Sequence, residues 1–180
     1  MILLQVACDL AVVDFFEPVE PVVEEHPVVE DDPPCPEGDG TPQEGCVTAE
    51  VHCGSSLDGH TRGGRSAWSN DFYMEKFCAP IHHDWDGPER VYSFRMEPMM
   101  VATVTLESPC EDLDLFAASW PHEGCPDLEH SVTACEADVL EGDGEFRLVT
   151  QDNPQTWLLG VDGKLGVTGA FTLSVECVDR

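Results

Sequence analysis

Basic residues are scarce: 8 Lys and Arg stand against 36 Asp and Glu, a formal net charge of −28 over 180 residues. Such a field repels phosphate backbones and anionic headgroups, which excludes nucleic acid as a partner class. Its natural uses are solubility, a solvated surface suited to salt, or attraction of cationic ligands and divalent metals. No Cys-x-x-Cys pair occurs among the nine cysteines. That removes the close-spaced ligand pairs of zinc modules and the thioredoxin-like redox motif. There is no Gly-x-Ser-x-Gly elbow and no Gly-rich phosphate loop, so two common signatures of hydrolases and nucleotide binders are missing. No EF-hand is present either. No apolar run reaches the ~20 residues that cross a membrane as a helix; the best candidate, 1–16, is interrupted by Asp9 and Asp14.

What the chain does have is cysteine, dispersed along its length. In an acidic chain with 15 Gly and 14 Pro, this pattern reads as disulfides formed in an oxidising, extracytoplasmic compartment. The odd count is informative. Setting Cys8 aside leaves Cys35, Cys46, Cys53, Cys78, Cys110, Cys125, Cys135 and Cys177, enough for four bridges, with 105 ways to pair them. Short spacing makes Cys125–Cys135 and Cys35–Cys46 plausible local bridges. A bridge such as Cys53–Cys78 would close about 25 residues and stabilise by roughly 3 kcal/mol in the loop-entropy picture.

Cys8 follows Ile2-Leu3-Leu4 and Val6-Ala7, an apolar stretch with a small residue before the cysteine. This is similar to the end of a bacterial lipoprotein signal, in which the cysteine is freed and acylated. Residues 1–8 are thus expected to be a truncated signal remnant, with Cys8 lipidated and anchoring the protein to a membrane. The pattern departs in having Gln5 three positions before the cysteine and no Lys or Arg ahead of Arg62; a start upstream of Met1 would repair it. Residues 9–45 form a second region. From Asp14 to Gly45 there are eleven acids, seven prolines and no Lys or Arg. Proline removes backbone donors and like charges push the segment outward, so a disordered, extended tether is expected. In full polyproline II form, the residues from Cys8 to Cys35 would span roughly 80 Å.

From Cys46 to the end, 46–180, short runs of alternating polarity are separated by turn residues. Residues 90–96 (RVYSFRM) place Tyr92, Phe94 and Met96 on one face. Residues 99–107 place Met100, Ala102, Val104 and Leu106 together, and 145–150 Phe146 and Leu148. Residues 156–161 give Trp157, Leu159 and Val161; residues 169–178 give Phe171, Leu173, Val175 and Cys177. Period two recurs throughout, and no stretch of comparable length has a clear 3.6-residue period. Asp86-Gly87-Pro88, Glu141-Gly142-Asp143-Gly144 and Asp162-Gly163 mark turns. The expected fold is all-β, an antiparallel, jelly-roll-like β-sandwich braced by disulfides, with the Cys177 sulfur directed inward.

Over roughly residues 50–178, the succession CGSSLDGHTRG, NDFYMEKFC, GPERVYSF, VATVTLESPCEDLDLF, WLLGVDG and GAFTLSVEC resembles the bacterial pre-peptidase C-terminal domain family, in the cysteine-rich form found on surface lipoproteins. Its most specific pieces are Gly87-Pro88-Glu89 leading into Tyr92, the strand Asp112-Leu113-Asp114-Leu115, and Val161-Asp162-Gly163. The resemblance implies a jelly-roll-like sandwich without catalytic residues. It also implies binding of extracellular protein or polysaccharide ligands, in some members with calcium. Members usually accompany secreted hydrolases, whereas here only the acidic tether precedes the domain.

Among individual sites, Asp112 and Asp114 are expected on one strand face about 7 Å apart, with Leu113 and Leu115 inward. Two such charges repel unless water or a cation lies between them. With loop residues such as Asp162 or Asp143 they form the candidate calcium set, to be weighed against a solvated acidic face; no other cofactor is implied. His82-His83-Asp84 is the only adjacent histidine pair. His122 with Cys125 and His130 with Cys135 have zinc-like spacing, void if those cysteines are oxidised. Trp68, Trp85, Trp120 and Trp157 could stack on sugars, but packing is the commoner task of tryptophan. The sequence therefore reads as a non-enzymatic display, adhesion or binding lipoprotein of the cell envelope. The alternative is a secreted hydrolase or an accessory domain of a secreted peptidase.

Overall fold

The computed structural model describes residue 35, residues 37–77, residue 85, and residues 87–122 and 124–180. Cys8, the tether up to residue 34, Cys78 and His82-His83-Asp84 lie outside them. Among the described residues, nine strands form two sheets: β1 (Ala49–Val51), β2 (Ser55–His60), β3 (Arg90–Met96), β4 (Met100–Glu107), β5 (Leu113–Ser119), β6 (Cys135–Asp138), β7 (Gly144–Val149), β8 (Gln155–Gly163) and β9 (Ala170–Asp179). One sheet has the order β1-β3-β8-β5-β6 and the other β2-β9-β4-β7. Every pairing is antiparallel except β1 with β3. From β3 to β9 the chain changes sheet at every connection but β5 to β6, the jelly-roll habit expected from the sequence.

The alternation read from the sequence builds the main core. Tyr92, Phe94 and Met96 of β3, Trp157, Leu159 and Val161 of β8, and Leu113, Leu115 and Ala117 of β5 face Ala102, Val104 and Leu106 of β4. Phe146 and Leu148 of β7 and Phe171, Leu173 and Val175 of β9 complete the layer. Cys177 packs against it and is bridged to Cys53, in the turn that carries the chain from β1 to β2.

A second apolar layer was not legible. The outer face of the five-stranded sheet is covered as well: Val91, Leu158, Phe116 and Ala118 pack against Trp68, Phe72, Tyr73, Phe77, Trp85 and Trp120. Part of this cover is a helix, α1 (Asn70–Lys76). Ser69 caps it by accepting from the Phe72 N–H at 3.3 Å, Asp71 and Lys76 suit the two ends of its dipole, and Phe72 and Tyr73 point inward. Under two turns long, it has no room to display a 3.6-residue period. Gly160 on β8 permits a close approach in this layer, since a Cβ there would lie 2.9 Å from the Trp68 ring.

Two expectations need correction. The three bridges whose two ends both lie among the described residues are long-range: Cys35–Cys110, Cys46–Cys125 and Cys53–Cys177, separated by 75, 79 and 124 residues. Cys125–Cys135, Cys35–Cys46 and Cys53–Cys78 are therefore not formed; Cys135 is itself disulfide-bonded. The sandwich also begins to make its own contacts before Cys46. The Cys35–Cys110 bridge and the Arg90 guanidinium, which donates to the carbonyls of Asp39 (3.0 Å) and Thr41 (2.7 Å), fasten this segment down. The compact unit accordingly runs from Pro33 to Arg180.

Candidate functional site

Three acids form one row across the outer face of the five-stranded sheet. Asp114 on β5 is the register partner of Asp162 on β8. Glu89 immediately precedes Arg90, which pairs with Val161, so the same register sets Glu89 beside Asp162. The three are 0%, 1% and 0% exposed for Glu89, Asp114 and Asp162. Each belongs to one of the three short pieces that carry the family resemblance. Sequence alternation had placed Asp114 on a solvated face; the aromatic layer turns that face into interior.

Burial of this kind disfavours the charged form. Glu89 accepts through Oε1 from the backbone N–H of Ala67 (2.5 Å) and Trp68 (2.7 Å), while Oε2 has no hydrogen-bond partner. Burial pushes it up to about 7, against the pull of those backbone donors. Asp162 accepts from the Tyr73 hydroxyl at 3.1 Å and from the Gly163 N–H at 2.7 Å. It is pushed up to about 8, first by burial and then by the neighbouring Glu89 charge. Asp114 is also raised by burial, opposed by the Trp85 indole N–H that donates to Oδ2 and by Lys164. Tyr73 is raised well above its ordinary range by burial and by the surrounding acids. Near neutral pH the row is thus at least partly protonated. It tethers the 67–68 segment, α1 and Trp85 to the sheet, under rings whose centroids lie 4.8 Å (Tyr73–Phe116, tilted) and 5.4 Å (Trp85–Phe116, edge to face) apart.

The expected calcium ligands are not brought to one point. Asp112 lies at the surface, where Oδ1 accepts from the Gly142 N–H at 3.2 Å. The cation required between Asp112 and Asp114 is supplied by the chain itself. Lys164 Nζ lies 3.8 Å from Asp112 Oδ2 and 3.3 Å from Asp114 Oδ1. The second distance neutralises Asp114 without the alignment of a hydrogen bond, since Oδ1 has no hydrogen-bond partner. Asp143 instead accepts from the Ser108 N–H at 2.9 Å. Among the described residues no group of three or more His, Cys, Asp or Glu is arranged to hold a metal. Nor is any tryptophan a sugar platform: all four are buried.

The loop between β5 and β6 brings together residues that spacing alone had assigned to cysteine partners. Cys125 and Cys135 are oxidised, so neither can ligate. Instead the rings of His122 and His130 meet, 4.2 Å apart at the centroids, beside the Trp120 ring. Asp127 fixes the turn by accepting from the N–H groups of Glu129 (2.9 Å) and His130 (2.8 Å), and both its oxygens lie 2.9 Å from His130 Nδ1.

No family model matches the chain, and no curated protein matches it. Solved structures do. The chain is similar to the pre-peptidase C-terminal domain of a collagenase from Bacillus anthracis, at 13% identity and a TM-score of 0.39, covering 72% of this chain and 96% of that one. It is similar to PliG of Aeromonas hydrophila, a periplasmic inhibitor of g-type lysozyme, at 11% identity and a TM-score of 0.42, covering 72% and 96%. CorA of Methylomicrobium album BG8, a surface-associated copper-binding protein, gives 9% and 0.41 over 73% and 98%. Likenesses this distant carry nothing about activity.

Proposed function

We propose that this chain is a non-enzymatic binding or display module of the cell exterior, lipid-anchored at Cys8 and presented on its acidic tether. The observation that carries the reading is the oxidation of all seven described cysteines, the state of a fold made outside the cytosol. Nine cysteines cannot all pair within one chain, and Cys8 is the one set in an apolar, lipoprotein-like context. Acylation contributes about 0.8 kcal/mol per buried CH₂, so two or three chains on one residue hold a protein at a membrane without a spanning helix. The buried row of Glu89, Asp114 and Asp162 supports a structural rather than catalytic use of acids, because water and substrate do not reach carboxyls that are 0–1% exposed. The implied ligands are extracellular proteins or polysaccharides.

Metabolic labelling with a fatty-acid probe tests the anchor: incorporation and detergent partitioning are expected, and both should vanish in Cys8→Ala. An unmodified Cys8 in native, fully water-soluble material refutes the anchor. Hydrolysis of protein or glycan substrates abolished by Glu89→Gln or Asp162→Asn, in variants that remain folded, would overturn the non-enzymatic reading.

A further inference from the structure

The two imidazoles are held in contact on an exposed loop. The segment from Pro121 to Ala134 contains no Lys or Arg and carries Glu123, Asp127 and Glu129, so its field attracts cations. The scaffold below His122 and His130 is fixed at three points. Trp120 is buried and its indole N–H donates to the Gly124 carbonyl at 3.2 Å. Cys125 is bridged to Cys46, and Asp127 closes the turn through two backbone N–H groups.

Asp127 does something more specific to His130. An ionised carboxylate only accepts, so with both oxygens 2.9 Å from Nδ1 it holds the ring proton there. In the neutral ring Nε2 is left with a free lone pair. A carboxylate behind one ring nitrogen and a bare second nitrogen is the arrangement that orients metal-binding histidines and raises their basicity. The second imidazole is already adjacent. A metal takes imidazole nitrogens at about 2.0–2.1 Å, which places two such nitrogens at most about 4 Å apart. Rings whose centres are 4.2 Å apart satisfy this by rotation about their side-chain bonds. Both histidines are exposed, so the remaining coordination positions are open to water or an external ligand.

We propose that His122 and His130 form a surface site for a late transition-metal dication, Cu²⁺ or Zn²⁺, with Asp127 as the positioning residue behind His130. Imidazole favours these ions over Ca²⁺ and Mg²⁺, which seek oxygen, and the usual order of stability puts Cu²⁺ ahead of Zn²⁺. The site uses two protein ligands, in keeping with the absence of any three-residue metal group among the described residues. It is independent of the anchor at Cys8.

Isothermal titration of the full chain with Cu²⁺ and Zn²⁺, in excess Ca²⁺ to saturate carboxylates, tests the proposal. One tight equivalent that survives Ca²⁺ is expected, tighter for Cu²⁺. It should be lost in both His122→Ala and His130→Ala, and weakened about 10–100-fold in Asp127→Asn. Nitrogen superhyperfine structure from two imidazoles in the Cu²⁺ resonance spectrum should disappear in the same variants, while their near-UV circular dichroism, which reports the aromatic layer, stays unchanged. Binding that Ca²⁺ displaces, binding unaltered by both histidine substitutions, or no binding at all would each overturn it.

Discussion

Neutralising the buried acid row should change how stability depends on pH. Asp162 and Glu89 titrate near 3.9 and 4.3 in an unfolded chain but are pushed up to about 8 and about 7 in the fold, chiefly by burial. Between those limits the folded protein keeps protons that the unfolded chain has lost. Their contribution is therefore fully present below about pH 4 and is lost as pH rises through about 7 and then about 8. Each group contributes a slope of about 1.4 kcal/mol per pH unit, so the pair costs at most about 5 kcal/mol between pH 5 and pH 7. That rivals the whole stability of a typical domain, about 5–15 kcal/mol. Self-repulsion within a chain of net charge −28 acts in the same direction, so the comparison must be made against an isosteric variant. The double substitution Glu89→Gln, Asp162→Asn removes both titrations while keeping amide groups that can meet the same partners. Urea unfolding of the oxidised proteins, followed by tryptophan fluorescence from pH 5 to 7.5, gives the slopes. The wild type should lose stability more steeply than the variant by about 1–3 kcal/mol per unit. Parallel slopes, or a wild type that gains stability with rising pH, would refute the reasoning.

Three further outcomes follow from the packing. Gly160→Ala drives a methyl group to within 2.9 Å of the buried Trp68 ring and should cost about 1–3 kcal/mol, seen as a lowered Tm and a changed near-UV spectrum. Lys164→Met removes the ammonium 3.3 Å from Asp114 Oδ1; because burial raises Asp114 and Lys164 opposes that rise, the loss should grow as pH rises, and a loss independent of pH would count against the ion pair. Replacing Cys53 and Cys177 by serine opens a span of 124 residues, worth about 5 kcal/mol in the loop-entropy picture, and chemical denaturation should register most of it.

The strands were legible because a sheet with one face on the core writes its period directly into the sequence. Tyr92-Phe94-Met96 and Phe171-Leu173-Val175 lie inward as their alternation required. The same alternation says which residues share a face, not whether a second layer covers it. For that reason Asp114 read as solvated and Asp162 as a loop ligand. Recognising their burial needed the aromatic cover, most of which comes from α1 and the loops around Trp68 and Trp85. Lys164, directly after Asp162-Gly163, was the one sequence signal that a cation of the chain's own serves Asp112 and Asp114. The disulfides were hidden for a topological reason. Spacing favours local bridges, whereas strand order in two sheets decides that Cys53 meets Cys177. The histidine pair was hidden likewise. His122 and His130 were each matched to the nearest cysteine, and only the turn made by Asp127 brings them to one another.

Disulfide formation is the mark of a fold built outside the cytosol, and peptide mapping of native, unreduced protein by mass spectrometry tests it most directly. It should yield linked peptides joining Cys35 to Cys110, Cys46 to Cys125 and Cys53 to Cys177. Alkylation of these cysteines without prior reduction, or linked peptides joining Cys125 to Cys135, would contradict it.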